Sequence, residues 1–199
     1  MTYLISTLIF AVVGTAQLNI FEIEGIFSNA HINALEGHIE EYEYTDDDLL
    51  ILQYSSQEGS AESIAELNSL LSGYDFPIGV WFGPYKISID FEQLNNFDYI
   101  GFSPGLEINN VSFDESVEKK YCTINICNFE ERKIIVSTNE GIYDNYLIVG
   151  TLGSFIENID FVISDQSIEF FKPSLFERFY IAISNPIFTY MFFVLGFAL

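Results

Sequence analysis

The sequence predicts an α/β layered domain with a parallel sheet, and three observations support this fold class. First, strand-like and helix-like segments alternate between residues 19 and 84. Second, the connections between them are short, and helices of this length typically cross over between parallel strands. Third, two of the strand-like segments are continuous apolar runs, as expected for strands that are buried on both faces of a sheet.

The first strand and the first helix are predicted within residues 19–44. Residues 19–25 (NIFEIEG) alternate apolar residues with glutamates and end at a glycine, a pattern that predicts a strand. Ser28 can then cap a helix that extends to about Tyr44. Isoleucine and leucine recur on one face of this helix and glutamates occupy the others, which indicates an amphipathic helix packed on the sheet.

The second and third strands flank another amphipathic helix. Residues 48–54 (DLLILQY) form a continuous apolar strand, and residues 55–60 (SSQEGS) are predicted to be the loop that ends it. Ser60 can cap a helix at 61–71. Residues 77–84 (PIGVWFGP) are predicted to be the central buried strand, because a proline precedes the apolar run and Gly-Pro ends it.

Beyond Pro84 the periodicity is weaker. A helix-like piece at 91–97 leads to a strand at 98–102 and a Ser-Pro-Gly turn. Further elements are predicted as strands at 133–136 and 146–149, a short helix at 151–159, and a hairpin of 161–163 with 168–171. The sequence contains no internal repeat and no low-complexity linker, so one domain at 19–172 is expected.

The composition excludes several classes of partner. The chain has 199 residues, of which 49% are hydrophobic, enough for one domain with a substantial core. The net charge is −22 with only 7 lysines and arginines, so a nucleic-acid partner is not expected, because phosphates require cationic side chains. The same charge argues against electrostatic attraction to an anionic membrane surface. The acidity itself is most simply explained as a contribution to solubility.

The two ends of the chain are unusually apolar. Residues 1–16 have the length of a signal peptide and end in small residues, but they lack a positive charge; an N-terminal hydrophobic segment or a buried first strand is the alternative. Residues 176–199 are predicted to be an amphipathic lead-in followed, from Asn185–Pro186, by the start of a transmembrane helix. The run from 187 to 199 is shorter than the ~20 residues that a full span needs, so a C-terminal core helix is the alternative.

The histidines and cysteines do not form a metal-binding pattern. His31 and His38 lie seven positions apart without cysteines or paired carboxylates at ligand spacing, so neither a metal nor a cofactor is expected. Cys122 and Cys127 could pair in an oxidising compartment, although a bridge within one strand would be strained. The alternative is two small buried side chains.

The candidate catalytic residues lie at the ends of the central strands. No histidine is well placed to serve as base for a serine nucleophile, which leaves a serine–lysine pair as the remaining option. Ser88 follows the 77–84 strand, and the loop after the preceding strand offers Gly59, whose N–H could join an oxyanion hole. Ser88 also alternates with two isoleucines, as an ordinary strand residue would.

Six segments, taken in order, resemble the NfeD family, particularly its actinobacterial type. The segments are IFEIEGIFS at 20–28, LLILQYSSQEG at 49–59, PIGVWFGP at 77–84, FDYIGFSPG at 97–105, NEGIYDNY at 139–146 followed by TLGSFIENID, and the stretch 170–199. Each is loose by itself, but their order and spacing cover nearly the whole chain.

The resemblance implies a ClpP/crotonase-like spiral domain of ββα units that lies outside the cytoplasm and is followed by membrane helices. Within such a protein, the present chain would end inside the first transmembrane helix. The resemblance also implies a stomatin-like partner, homo-oligomerisation and, in the active branch of the family, a Ser-Lys peptidase. On this resemblance Ser88 is the nucleophile, Lys120 the base (with Lys119 beside it) and Gly59 part of the oxyanion hole.

The loop after the central strand departs from the active pattern and leaves two functional hypotheses. Active members have a small, Gly- and Ala-rich loop there, whereas this chain has YKISIDFEQL at 85–94. The first hypothesis is a non-catalytic member that acts in membrane-associated assembly. The alternative is an active serine endopeptidase that cleaves membrane-associated proteins.

Overall fold

The secondary structure alternates strands and helices as far as Phe82 and then becomes strand-rich. The computed structural model describes residues 16–59, 61–84, 86–89, 91–109, 133–161, 168–171, 175–184, 190–191 and 194. Its elements are β1 (Leu18–Phe27), α1 (Asn29–Tyr42), β2 (Leu49–Gly59), α2 (Ala61–Leu71), β3 (Ile78–Phe82), β4 (Ile87–Ser88), a 3-10 helix (Phe91–Asn96), β5 (Tyr99–Phe102), β6 (Glu107–Asn109), β7 (Lys133–Ile135), β8 (Gly141–Tyr143), β9 (Tyr146–Ile148), α3 (Leu152–Asn158), β10 (Ile168–Phe171) and α4 (Leu175–Ser184).

The described residues form two sheets. The larger has seven strands in the order β10-β1-β2-β3-β5-β9-β8, and every pair in it is parallel except the β8–β9 hairpin. The smaller has three strands in the order β4-β6-β7, with β4 parallel and β7 antiparallel to β6. The predicted α/β class with a mainly parallel sheet is therefore confirmed.

Both faces of the larger sheet are buried, which explains the continuous apolar runs. On β2, Leu50 and Leu52 pack with α1 and α2 in one cluster, whereas Leu49 and Ile51 belong to a second cluster that includes Phe155 of α3. Successive residues of a strand point to opposite faces. A strand between two layers therefore needs an apolar residue at every position.

One local prediction is wrong. The SSQEGS segment does not leave the sheet after Tyr54, because β2 continues to Gly59 while paired with β1. Among the described residues, β10 pairs in parallel with β1 at an edge of the larger sheet, and the rest of the predicted hairpin at 162–167 lies outside them. Phe161 lies outside any strand, and its ring contacts Tyr99 edge-on at 6.4 Å.

The predictions for the chain ends and the cysteines fall largely outside the described residues. Residues 1–15, Lys119, Lys120 and both cysteines are among those not described. At the C-terminal end, the amphipathic lead-in is helical as α4, and Tyr190, Met191 and Val194 are also helical. Among the described residues, no helix combines the length and apolarity required to span a membrane.

Candidate functional site

The candidate site lies where β2 extends beyond the end of its neighbour β3. The last register pair between these strands is Tyr54 with Phe82, and the N–H of Gly83 still donates to the Tyr54 carbonyl at 2.9 Å. Beyond this point β2 keeps pairing with β1 alone as far as Gly59. β4 lies against β2. The part of β2 after Tyr54 and the small sheet beside it form the region in which a site would lie, which we call the corner.

Ser56 fixes the course of this β2 extension. Its side chain is fully buried; its hydroxyl donates to the Gly25 carbonyl at 2.6 Å and accepts from the Phe27 N–H at 3.0 Å. The register between β1 and β2 shifts between Gly25 and Ile26, and Gly25 has a φ of 79°. Glycine tolerates this left-handed conformation, so the bulge is built from a glycine on one strand and a bridging serine on the other.

Ser88 lies in β4, and the burial of its two neighbours in the sequence fixes the position of its backbone. Ile87 and Ile89 on either side of it are buried. In the register of the small sheet, Ser88 is paired with Asn109 of β6, and Asn109 is paired with Lys133 of β7. Because neighbouring strands are ~4.8 Å apart, the Cα atoms of Ser88 and Lys133 lie on the order of 10 Å apart.

This row of Ser88, Asn109 and Lys133 was not predicted from the sequence. The base that the resemblance implies is Lys120. This residue lies outside the described residues, so its position relative to Ser88 stays a prediction. Lys133 lies later in the chain than the base that the resemblance implies. No local sequence pattern could have paired Lys133 with Ser88. The two residues belong to different strands, β7 and β4, which both pair with β6, and residues 110–132 separate β6 from β7 in the sequence.

Gly59 is the last residue of β2 and is paired in register with Phe27 of β1. Its proposed part in an oxyanion hole stays a prediction. The neighbouring Gly83 is not an alternative donor, because its N–H is already bonded to the Tyr54 carbonyl. A Cβ at Gly83 would lie 3.0 Å from the Ser55 hydroxyl, so a glycine fits where the two backbones approach closely.

Bulky apolar residues fill the space behind the candidate loop. Ile87, Ile89 and Leu94 are buried in the same cluster as the strands of the larger sheet. A gap between α2 and the sheet is bordered by Tyr54, Leu67, Phe82, Ile89 and Phe97 among others, and encloses about 10 Å³. That volume is at most the room needed by one water molecule.

Among the described side chains near this corner, Lys86 and Tyr54 are two ionisable groups with a clear structural setting. Lys86 is paired with Glu107 at 2.7 Å on the surface of the small sheet. Burial raises the pKa of Tyr54 to about 12, so its hydroxyl stays neutral at physiological pH. These contacts leave neither group poised to act as a general base.

Both histidines of α1 have buried side chains. His31 Nε2 bonds the Glu24 carbonyl at 3.1 Å, and His38 Nε2 lies 3.0 Å from the Tyr44 hydroxyl. Burial lowers the pKa of each below its ordinary value. Within the described part of the chain, no cluster of histidine, cysteine, aspartate and glutamate side chains could hold a metal ion.

Similarity to known proteins is found at the level of structure. No protein-family model and no curated protein sequence matches the chain. The structure is similar to 1510-N, a membrane protease specific for a stomatin homologue from Pyrococcus horikoshii. The TM-score is 0.55 and the identity 11%, with 86% of this chain and 100% of that chain covered.

Two variants of that protease are also similar. One is a lysine-to-alanine mutant of the membrane-bound stomatin-specific protease in complex with a substrate peptide. It has a TM-score of 0.52 and 9% identity, over 86% of this chain and 99% of that one. The other is a serine-to-alanine mutant, with a TM-score of 0.51 and 9% identity, over 81% of this chain and 100% of that one. At such low identity the likeness establishes the fold alone, and the predicted α/β fold is confirmed as one that these protease structures share.

Proposed function

We propose that this chain is a non-catalytic, NfeD-like domain that works at a membrane by binding and assembly. The observation that supports this proposal best is the burial of Ile87, Ile89 and Leu94 in the core. A peptidase needs open backbone and small residues around its serine so that a substrate chain can approach. Here the corresponding loop is used to fill the core.

A stomatin-like protein is the partner we propose for it. The structures it resembles are those of a protease specific for a stomatin homologue. Loss of cleavage need not remove recognition, because binding surfaces and catalytic groups are separate parts of a fold. We further propose that the domain is extracytoplasmic, as the N-terminal segment suggests, and that it forms homo-oligomers.

Labelling with a serine-reactive fluorophosphonate probe tests the absence of catalysis. The full chain in detergent should not be labelled and should not cleave peptides from a stomatin-like protein. Labelling that disappears in Ser88→Ala but persists in Ser69→Ala would overturn the proposal. Ser69 is a suitable control because it is exposed on α2, on a different element from β4.

An active Ser-Lys endopeptidase is the second candidate, and the row of Ser88, Asn109 and Lys133 favours it. A lysine can act as general base when its surroundings lower its pKa. In this version Lys133, rather than Lys120, is the base that we propose, since the sheet register brings its backbone into line with Ser88.

Two lysine variants distinguish the bases within this second candidate. If the chain cleaves peptides, Lys133→Ala should lower kcat by a factor on the order of 10²–10⁴, the usual contribution of a positioned base. Lys120→Ala should then leave kcat within about twofold of the unsubstituted chain. The reverse result would restore Lys120 as the base.

A further inference from the structure

The helix α4 carries an exposed apolar stripe, made of Leu175, Phe176, Phe179 and Tyr180. Their side chains are 86%, 83%, 63% and 65% exposed. A helix on the surface of a globular domain normally turns such a face toward the core. The stripe is therefore the largest departure from ordinary surface composition among the described helices, and a departure of this kind marks a surface of interaction.

The helix is nevertheless attached to the domain. It packs against α1, and a groove of about 340 Å³ lies between them. The groove is lined by Ala30, Asn33 and Ala34 of α1 and by Phe176 and Tyr180 of α4. Because only the edge of the stripe faces α1, Leu175 and Phe179 are left on the outer side.

The sequence after the helix indicates what covers this outer side. Residues 179–199 contain no aspartate, glutamate, lysine or arginine, although 18% of the chain is charged. Tyr190, Met191 and Val194 within this stretch are helical and exposed. The stripe thus continues, along the chain, into a region whose composition suits hydrocarbon better than water.

We propose that α4 lies in the plane of a membrane, with its apolar stripe in the interfacial layer of a zwitterionic bilayer. Phenylalanine and tyrosine are suited to this layer, and an in-plane helix buries its apolar face just below the headgroups. Zwitterionic lipid is favoured because the chain's net charge of −22 repels an anionic surface. This inference rests on the membrane association in the proposed function and adds the surface that makes the contact.

The position of α4 fixes which side of the domain faces the lipid. It follows β10, an edge strand of the larger sheet, whereas β8 is the opposite edge. Six strand intervals separate the two edges, or ~29 Å at the usual spacing. Ile142 of β8 is 69% exposed and so provides an apolar surface residue far from the proposed contact.

Quenching by brominated lipid tests the proposal on the full chain. Leu175→Trp, Phe179→Trp and the control Ile142→Trp would each be reconstituted in phosphatidylcholine vesicles with dibrominated acyl chains. The chain's one native tryptophan, Trp81, is buried in the core and gives a constant background. The tryptophans at 175 and 179 should be quenched by roughly twofold or more, and the tryptophan at 142 should not.

Four other outcomes would contradict it. Co-flotation with vesicles without quenching at 179 would overturn the position of α4 while leaving membrane association intact. Cross-linking between copies through residue 179, again without quenching, would assign the stripe to a second copy. No flotation at all would overturn membrane association in the proposed function as well. Equal quenching at 142 and 179 would refute the orientation.

Discussion

Gly101 of β5 is a position at which one methyl group should measurably destabilise the fold. A Cβ built there would lie 2.5 Å and 2.7 Å from Cδ2 and Cε2 of Phe155 and 2.9 Å from Cδ1 of Trp81. Phe155 is fully buried and Trp81 is 5% exposed, so neither ring can swing into solvent. The Gly101→Ala variant must therefore displace α3 from the sheet or force the rings from their rotamers.

The expected cost follows from overpacking in a core that cannot relax freely. Such insertions typically cost about 1–3 kcal/mol, which for a chain of this size lowers Tm by roughly 2–12 °C. Gly37→Ala is the matched control, because Gly37 is exposed on α1 with no atom within 4 Å of the added Cβ. It should stabilise the chain by about 0.5–1 kcal/mol, since alanine loses less backbone entropy in a helix than glycine.

Urea unfolding followed by the fluorescence of Trp81 measures both variants. The clash can be assigned by repeating Gly101→Ala in a Phe155→Leu background, where the smaller side chain should recover part of the loss. Equal free energies of unfolding for Gly101→Ala and the unsubstituted chain would refute the packing of α3 on β5. So would an unchanged cost in the Phe155→Leu background.

Two further predictions concern buried polar groups. Ser56→Ala removes the hydroxyl that bridges Gly25 and Phe27, so the free energy of unfolding should fall by about 1–3 kcal/mol. The control Ser69→Ala should change the free energy of unfolding by less than ~0.5 kcal/mol. Equal effects of the two substitutions would mean that the bridge is unimportant. Burial lowers the pKa of His38 from its ordinary 6.5, against the opposing influence of Glu41 and Glu169. His38 therefore binds a proton more readily in the unfolded chain than in the folded chain. His38 should therefore contribute stability above about pH 6.5 that is lost as the pH falls toward its folded pKa. In His38→Phe the loss of unfolding free energy between about pH 7 and pH 5 should be smaller; an unchanged loss would exclude His38 as its source.

The first half of the fold was predictable because its signals are local. The alternation in β1, the apolar runs of β2 and β3 and the periodicity of α1 and α2 all lie within short windows. The boundary of β2 was wrong because Ser55 to Gly59 has the composition of a loop. The strand continues there because Ser56 satisfies backbone groups of β1, an interaction about 30 positions distant in sequence.

β10 illustrates the opposite case. Its four residues looked like half of a hairpin, because Asp165 and Gln166 resemble a turn between two apolar runs. The structure pairs Leu18 with Ile168, 150 positions apart in the chain. A parallel partner at that separation leaves no trace in a local window, so the edge of the sheet, and α4 after it, could not be positioned from sequence.

In the loop at 86–94, the residues on which the fold depends differ from those on which catalysis would depend. Its position depends on Ile87, Ile89 and Leu94, because a one-residue slip of β4 would exchange its core-facing and outward-facing positions. Hydrolysis would depend instead on Ser88 and on a lysine brought near it by the small sheet. The scaffold can therefore persist after the chemistry is lost. For the same reason, a change in labelling caused by Ser88→Ala can be attributed to chemistry, provided that the free energy of unfolding is unchanged.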